Sequence, residues 1–371
     1  MSASKNTKRG ILIFCGLLLF GVVFCGLMPF VVLPHFGLGA GLPAITLPAE
    51  ILVQNLFPGF NLTNGTTSMI LVDLVILLIV GIVSMALRNQ SPDTYVPNGI
   101  THVIDIFVEF WDNQARGIVG DKTPRVLPLA LTVFVFVLSA NVIKLFPGVE
   151  TIGIISCAEP GMSGYTLIDP LAPVKILNVN GVDFKSRAGT KATKADTTAC
   201  ETMHPEFRPP GASEETEQTD IEGGNPNLFT IIPFFRPLAT DMNMPLALAI
   251  IVFIAVEFWG IKELGIPYFN KFINIRALGN LKERPIMGGL DFVIGLVELF
   301  TEFMRLISLT LRLLGSMFAG GTLIAVAAYI VTFGVPLLPF GIEIAMGLIQ
   351  AYVFALLTII YAGQAMTHHG V

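Results

Sequence analysis

The sequence predicts an all-α polytopic membrane protein. It should have about six transmembrane helices, including two long tilted C-terminal ones, one amphipathic surface helix and a long polar extracytoplasmic insertion. Three observations carry this. Of 371 residues, 53% are hydrophobic and only 13% charged, whereas soluble domains run near ~25% charged; mean hydropathy is +0.73. Apolar runs recur at the ~20 residues a bilayer crossing needs. One such run, residues 298–321, nevertheless carries Glu298, Glu302, Arg305 and Arg312. Each charge near a bilayer centre costs at least ~2.5–3.5 kcal/mol, so this helix must face protein or water, not lipid. The net charge of −5 argues against a nucleic-acid partner.

The chain divides into four regions. Residues 1–90 form an N-terminal two-helix membrane region. Lys5, Lys8 and Arg9 precede an apolar run over residues 10–33. At ~24 residues it is longer than the 7–15 of a signal-peptide core, which favours a retained helix over a cleaved leader. A second span follows over 66–87, with Asp73 in its first turns. Just before it, Asn61 and Asn64 each begin a glycosylation triplet, a match that chance often produces.

Residues 91–146 hold an amphipathic helix and the third span. Over 101–119 apolar residues fall at helical spacing, with Asp105, Glu109, Asp112 and Arg116 on the other face. Such a helix lies on the membrane surface or packs on a partner. The span over 125–146 carries Asn141 and Lys144 near its end. Lys144 either snorkels to the interface or serves function.

Residues 147–241 change in composition to Gly, Pro, Thr, Glu and Lys, with an acidic stretch at 212–224. They read as an excursion outside the membrane, with short strands over 174–182. Cys157 and Cys200 lie within it and would pair if that side is oxidising. Cys15 and Cys25 sit in the first apolar run, and no zinc-type spacing appears. His35 and His102 are isolated, and the terminal pair His368-His369 reads as polar tail. No metal or other cofactor is expected.

Residues 242–371 hold the remaining spans. The first covers 242–260 and contains Glu257. A basic segment follows with Lys262, Lys271, Arg276, Lys282 and Arg284, then a helix over 288–329. At 1.5 Å per residue it would reach ~60 Å, twice a ~30 Å hydrocarbon core, so it must tilt or break, Gly320-Gly321 being the weak point. The last span, 340–365, carries Glu343 and Gln350 seven residues apart. Loops 34–65 and 332–341 lack Lys and Arg, while the N-terminus, 88–125 and the loop before 288 are basic. Positive-inside then places the basic segments and both termini in the cytoplasm and the insertion outside.

Glu298, Arg305 and Arg312 recur every seven residues, and Ser308 and Ser316 flank Arg312 at four. These five share one helical stripe. Glu298, Ser308, Ser316, Glu343 and Gln350 can pass protons or hold water. Arg312 cannot, because guanidinium stays protonated. About 4 Å from a partner carboxylate, at an effective dielectric near 20, it contributes ~4 kcal/mol, or roughly three pKa units toward the ionised acid. It would make an arriving acid release its proton. Glu302 and Arg305, three apart, can neutralise each other.

The stretch S-L-T-L-R-L-L-G-S-M-F-A-G at 308–320 resembles the signature of subunit a of F-type ATP synthases. Three stretches agree with it in order: P-L-A-L-T-V-F-V-F-V-L-S-A-N at 128–141, R-P-L-A-T-D-M-N at 236–243, and G-L-I-Q-A-Y-V-F-A-L-L-T-I-I-Y at 347–361. The resemblance implies a stator subunit of the F0 sector, with two half-channels that load and unload protons on the c-ring during ATP synthesis. It implies catalysis in other subunits, so this chain is not itself an enzyme. Its implied partners are the c-ring, peripheral-stalk b subunits, the F1 sector and membrane lipid, in the cell inner (plasma) membrane. Arg312 matches the essential arginine facing the c-ring carboxylate. Glu298 matches an acid of the cytoplasmic half-channel, and Gln350 the polar residue opposite the arginine. Ser316, Glu343, Asp241 and Asn243 would line the outer half-channel.

Several positions depart from the family pattern. Ser316 stands where bacterial relatives carry Asn, Gly321 where they carry an acid, and Glu343 where they carry His. Lys144 replaces a common acid. The long insertion and the added first helix are atypical. A secondary transporter or ion channel with an intramembrane Arg/Glu site is the alternative, but no repeat relates the two halves. A polytopic enzyme would need a nucleophile, base or metal constellation in the spans.

Overall fold

The computed structural model describes residues 41, 49–88, 100–171, 174–179, 188–210, 224–265, 268, 285–330 and 336–366. The apolar run 10–33, most of the acidic stretch, the basic residues 271–284 and the terminal histidines lie outside them. Five spans among the described residues are long and apolar enough to cross a membrane: Asn64–Met85, Thr101–Ile143, Asn243–Leu264, Val293–Ile330 and Leu337–Met366. The chain is a multi-pass membrane protein, mostly helical, and its contacts fall into two compact units.

One unit is a helical bundle built from residues 65–146, 237–318 and 344–371. Its helices are α1 (Asn64–Arg88), α2 (Ile100–Val119), α3 (Thr123–Ile143), α5 (Asn243–Leu264) and the greater parts of α6 (Pro285–Ile330) and α7 (Leu337–Met366). A single 3-10 turn, Gly120–Lys122, folds α2 back on α3. Gly120 takes φ +63°, open to glycine at no steric cost. Phe107 and Trp111 of α2 then both meet Phe134 of α3, ring centroids 5.3 and 5.2 Å apart. Part of the apolar side of the amphipathic helix thus packs on its own chain, while Val103, Ile106 and Phe110 stay exposed. Trp111, Val133, Val137, Val252, Leu313 and Phe354 are buried together in the bundle core.

Both ends of the bundle are tied by polar contacts. Lys122 and Arg125 each pair with Glu263 at 2.9 Å, and the Lys122 ammonium donates to the Met366 carbonyl at 3.2 Å. The α2–α3 turn and the C-terminal ends of α5 and α7 therefore share one end. At the other, Asn141 Nδ2 donates to the Gly347 carbonyl at 3.0 Å, and Lys144 Nζ reaches Met317 Sδ at 3.1 Å. Lys144 points onto α6 within the bundle.

Helix α6 is continuous for 46 residues. At 1.5 Å per residue that is ~69 Å, so a ~30 Å hydrocarbon layer can hold it only at a steep tilt. Of the two sequence-based options the break at Gly320-Gly321 is not the one adopted: two glycines lower helix propensity by only ~1 kcal/mol each.

The other unit comprises residues 1–64, 147–236 and 319–343. An antiparallel hairpin, β1 (Ile51–Phe57) and β2 (Phe60–Thr63), runs directly into α1. Asn64 is fully buried there; its Oδ1 accepts from the Glu50 amide at 3.1 Å. This triplet asparagine is a structural residue with no room for a glycan. The polar insertion holds more strand than its composition suggests. Strands β4 (Gly153–Cys157) and β9 (Phe229–Pro233) pair antiparallel, as do β6 (Leu167–Leu171) with β7 (Val174–Leu177) and the short β5 (Ser163–Gly164) with β8 (Thr190–Lys191). β3 (Pro147–Glu150) precedes them, and α4 (Lys194–Met203) follows β8. The Cys157–Cys200 disulfide joins the end of β4 to α4. Both cysteines are fully buried, packed with Phe229 and Phe207.

Candidate functional site

The polar stripe lies on α6 beside its buried ridge. Leu309, Leu313 and Met317 face the bundle core. Arg312 is exposed on the flank, Ser308 is exposed beside it, and Glu298 and Ser316 are half-buried. Ser316 Oγ donates back to the Leu313 carbonyl at 3.2 Å. Gln350 is half-buried on α7. Among the described residues, no hydrogen bond or ion pair reaches Arg312, Glu298 or Gln350. A guanidinium held out on a membrane helix with no acid on it among the described residues is a costly arrangement, and it fits a partner group delivered from outside the chain.

Glu343 sits near the start of α7 and is 5% exposed. Its carboxyl lies against Gly320, where an added Cβ would come 2.6 Å from Oε1. Glycine at 320 therefore leaves the place this acid occupies. Asp241 and Asn243 stand at the opening of α5, and Asp241 Oδ1 accepts from the Asn243 amide at 3.2 Å. Asp241 thereby makes an Asx turn that leads into the helix, one residue before its N-cap Met242.

A second polar group lies nearer the Pro285 end of α6. Arg305 donates to both oxygens of Glu302 at 2.8 Å, the mutual neutralisation their spacing suggests. The same guanidinium lies over the Tyr361 ring of α7, 5.0 Å from its centroid. Next to it the Tyr268 hydroxyl donates to Glu257 Oε2 at 2.9 Å. Burial, and then that hydrogen bond, push the Tyr268 phenol up, so it keeps its proton and stays a donor. Sequence reasoning singled out the charges but neither tyrosine, whose apolar-looking surroundings give no signal. Asn141, which the sequence did single out, is 3% exposed, with Oδ1 lacking a hydrogen-bond partner among the described residues. No group of three or more His, Cys, Asp or Glu that could hold a metal occurs among the described residues.

Comparison with known proteins adds an independent line. The family model of the ATP synthase A chain matches residues 67–186 and 226–363. ATP synthase subunit a of Nitrosospira multiformis is 32% identical over 145 residues, 39% of this chain and 52% of the relative. ATP synthase subunit a 2 of Picosynechococcus is 35% identical over 141 residues, 38% of this chain and 54% of the relative. A longer alignment, 26% identical over 287 residues and 74% of each chain, is with ATP synthase subunit a of Acinetobacter baylyi. The chain spans about half the length of the first two relatives. The gap in the family match falls at 187–225, inside the insertion, while the match runs through the whole Arg312 stripe. With most of its length matched in this way, the chain belongs to the ATP synthase A chain family.

Proposed function

We propose that this chain is the stator subunit of the F0 sector of a rotary ATP synthase, and that its two half-channels load and unload protons on a c-ring. The observation that carries the reading is Arg312: a permanent cation on a continuous membrane helix, exposed on the helix flank and free of any ion pair within the described residues. A rotor carboxylate passing that face would meet a fixed positive charge. The attraction favours its ionised form and so expels the proton. Because guanidinium does not deprotonate, Arg312 also stops protons passing directly between the half-channels.

In this scheme protons arrive from the outer side past Glu343 and Ser316, with Asp241 and Asn243 at the mouth. They neutralise a rotor acid, travel with the ring, and leave past Glu298 once Arg312 has displaced them. In this reading Gln350, half-buried on α7, is the polar residue that orders the approach of the acid. The driving term is about 2.3 kcal/mol per charge per 100 mV. Partners are the c-ring, peripheral-stalk b subunits and, through the complex, F1. ATP chemistry belongs to those other subunits, the membrane is the cell inner membrane, and both termini are cytoplasmic.

The test is Arg312→Ala in inverted membrane vesicles containing the whole complex. ATP-driven proton pumping is expected to vanish while the variant chain stays in the complex. Pumping at the normal rate would overturn the assignment. A transporter with its own solute site would instead purify without a proteolipid ring and a soluble ATPase.

A further inference from the structure

We propose that Arg305 and Tyr361, with Glu302, are positioning residues that fix the rotation of α6 about its own axis and so set where Arg312 points. The proposal rests on the stator reading above. Its starting point is how shallowly α6 is buried. Only 11% of an 18-residue apolar window of the Val293–Ile330 span is buried. The buried side chains on it are Glu302, Leu309, Thr310, Leu313 and Met317. In lipid, a leucine gains little by leaving acyl chains for another helix, because both are equally apolar. The Leu309–Leu313–Met317 ridge therefore holds α6 against its neighbours without strongly choosing one rotation.

A polar contact does choose. At about 100° per residue, Arg312 lies roughly 100° round the helix from the middle of that ridge, and Arg305 within about 20° of Arg312. The two arginines share a stripe but behave differently. Arg312 points out, whereas Arg305 is turned inward by the two 2.8 Å bonds to Glu302. An ion pair within one helix could not by itself fix rotation. The cation's position over Tyr361 makes it a contact between helices, and a cation prefers the ring face to its edge.

The surroundings leave little slack. Glu302, Arg305 and Tyr361 line a cavity of about 10 Å³ together with Val252, Val256 and Leu309, space for no more than about one water. Tyr268 closes the same end of the bundle, packed so tightly on Gly260 that an added Cβ would lie 2.6 Å from its ring. A rotation of ~40° would swing a charge ~8 Å from the axis through about 5 Å. At Arg312 that displacement either buries the guanidinium or turns it to lipid, and the rotor acid loses its partner in both cases.

The experiment uses the whole complex in inverted vesicles and reads two quantities. One is ATP-driven pumping. The other is the pattern of maleimide reactivity over single cysteines introduced by Ser308→Cys, Leu311→Cys and Ser316→Cys, which reports the face α6 presents. Tyr361→Leu, which removes the ring face, is expected to lower pumping about tenfold and move the reactivity maximum to a neighbouring position. Tyr361→Phe keeps the ring and should leave both at wild-type values. Arg305→Gln is read the same way and replaces Tyr361→Leu if that variant fails to assemble. Wild-type pumping in both variants, or lost pumping with an unshifted pattern, overturns the proposal. Either result alongside a dead Arg312→Ala leaves the stator reading intact. Normal pumping by Arg312→Ala removes that reading itself.

Discussion

A charged side chain in a membrane helix is informative because so few places tolerate it, and the two arginines of α6 occupy two of them. Arg305 meets a bidentate carboxylate and an aromatic face, so its cost is offset within the chain. Arg312 has neither. Both stood out in the sequence, since a seven-residue repeat of charge in an apolar run cannot be lipid-facing. Their different fates could not be read there, because they turn on Tyr361, which lies 56 positions after Arg305 in sequence. Glu343 was legible as a buried acid, but its seat was not: contact with Gly320 depends on how α7 returns beside α6. That contact gives a prediction. In Gly320→Ala the new methyl lands on a carboxyl terminus and not on backbone, so the fold should survive with Glu343 pushed aside. Pumping is expected to fall about tenfold, within the up to ~10²-fold that a 1 Å misplacement costs. The double variant Gly320→Ala with Glu343→Asp, one methylene shorter, should recover part of the loss in the same vesicle assay. No recovery would mean that the crowding at Gly320 is not what sets the rate.

Elements with strong periodicity were legible and elements that depend on distant partners were not. The five described spans came from apolar length alone, and the amphipathic pattern of α2 from its charged face. The insertion offered only composition. Its strands pair across long stretches of chain, Cys157 with Phe229 in register for example, and no local pattern announces such pairing. The disulfide was an open alternative because spacing says nothing about distance. Closing a loop of 43 residues, it stabilises the folded insertion by about 4 kcal/mol in the chain-entropy account. Helix α4 adds a titratable cap. Asp196 accepts from the Asn225 amide at 2.7 Å and from both the amide and hydroxyl of Thr193. The Asn225 bond first, then those from Thr193, hold its carboxyl below the usual range. A depressed folded value means the cap's contribution is present above the unfolded value and lost as pH falls through the folded one. Hydrogen exchange on the complex should therefore show the Thr193 and Asn225 amides losing protection below about pH 4. Asp196→Asn should abolish that step; a step unchanged in the variant would assign it elsewhere.

For the whole molecule, sidedness can be argued from two kinds of chemistry that do not depend on each other. Charge is the first. Lys122 and Arg125 meet Glu263 and the α7 end at one end of the bundle, and positive-inside sends such a cluster to the cytoplasm. Redox is the second. Cys157–Cys200 requires a compartment where thiols oxidise, which the cytoplasm of most cells is not. The proposed orientation has α3 cross once between Lys122 and the start of the insertion at Pro147, and it therefore requires the two arguments to give opposite sides. Had the basic turn and the disulfide fallen on the same side, one would have been misread. The consequence is measurable with a membrane-impermeant maleimide on the intact complex. In right-side-out membranes Cys157 and Cys200 should label only after reduction and unfolding, since both are fully buried and bonded. A cysteine placed on the exposed α2–α3 turn by Asp121→Cys should stay unlabelled there and react in inverted vesicles. The reverse pattern would place the insertion in the cytoplasm, and with it Glu343's half-channel would open to the wrong compartment for a proton inlet.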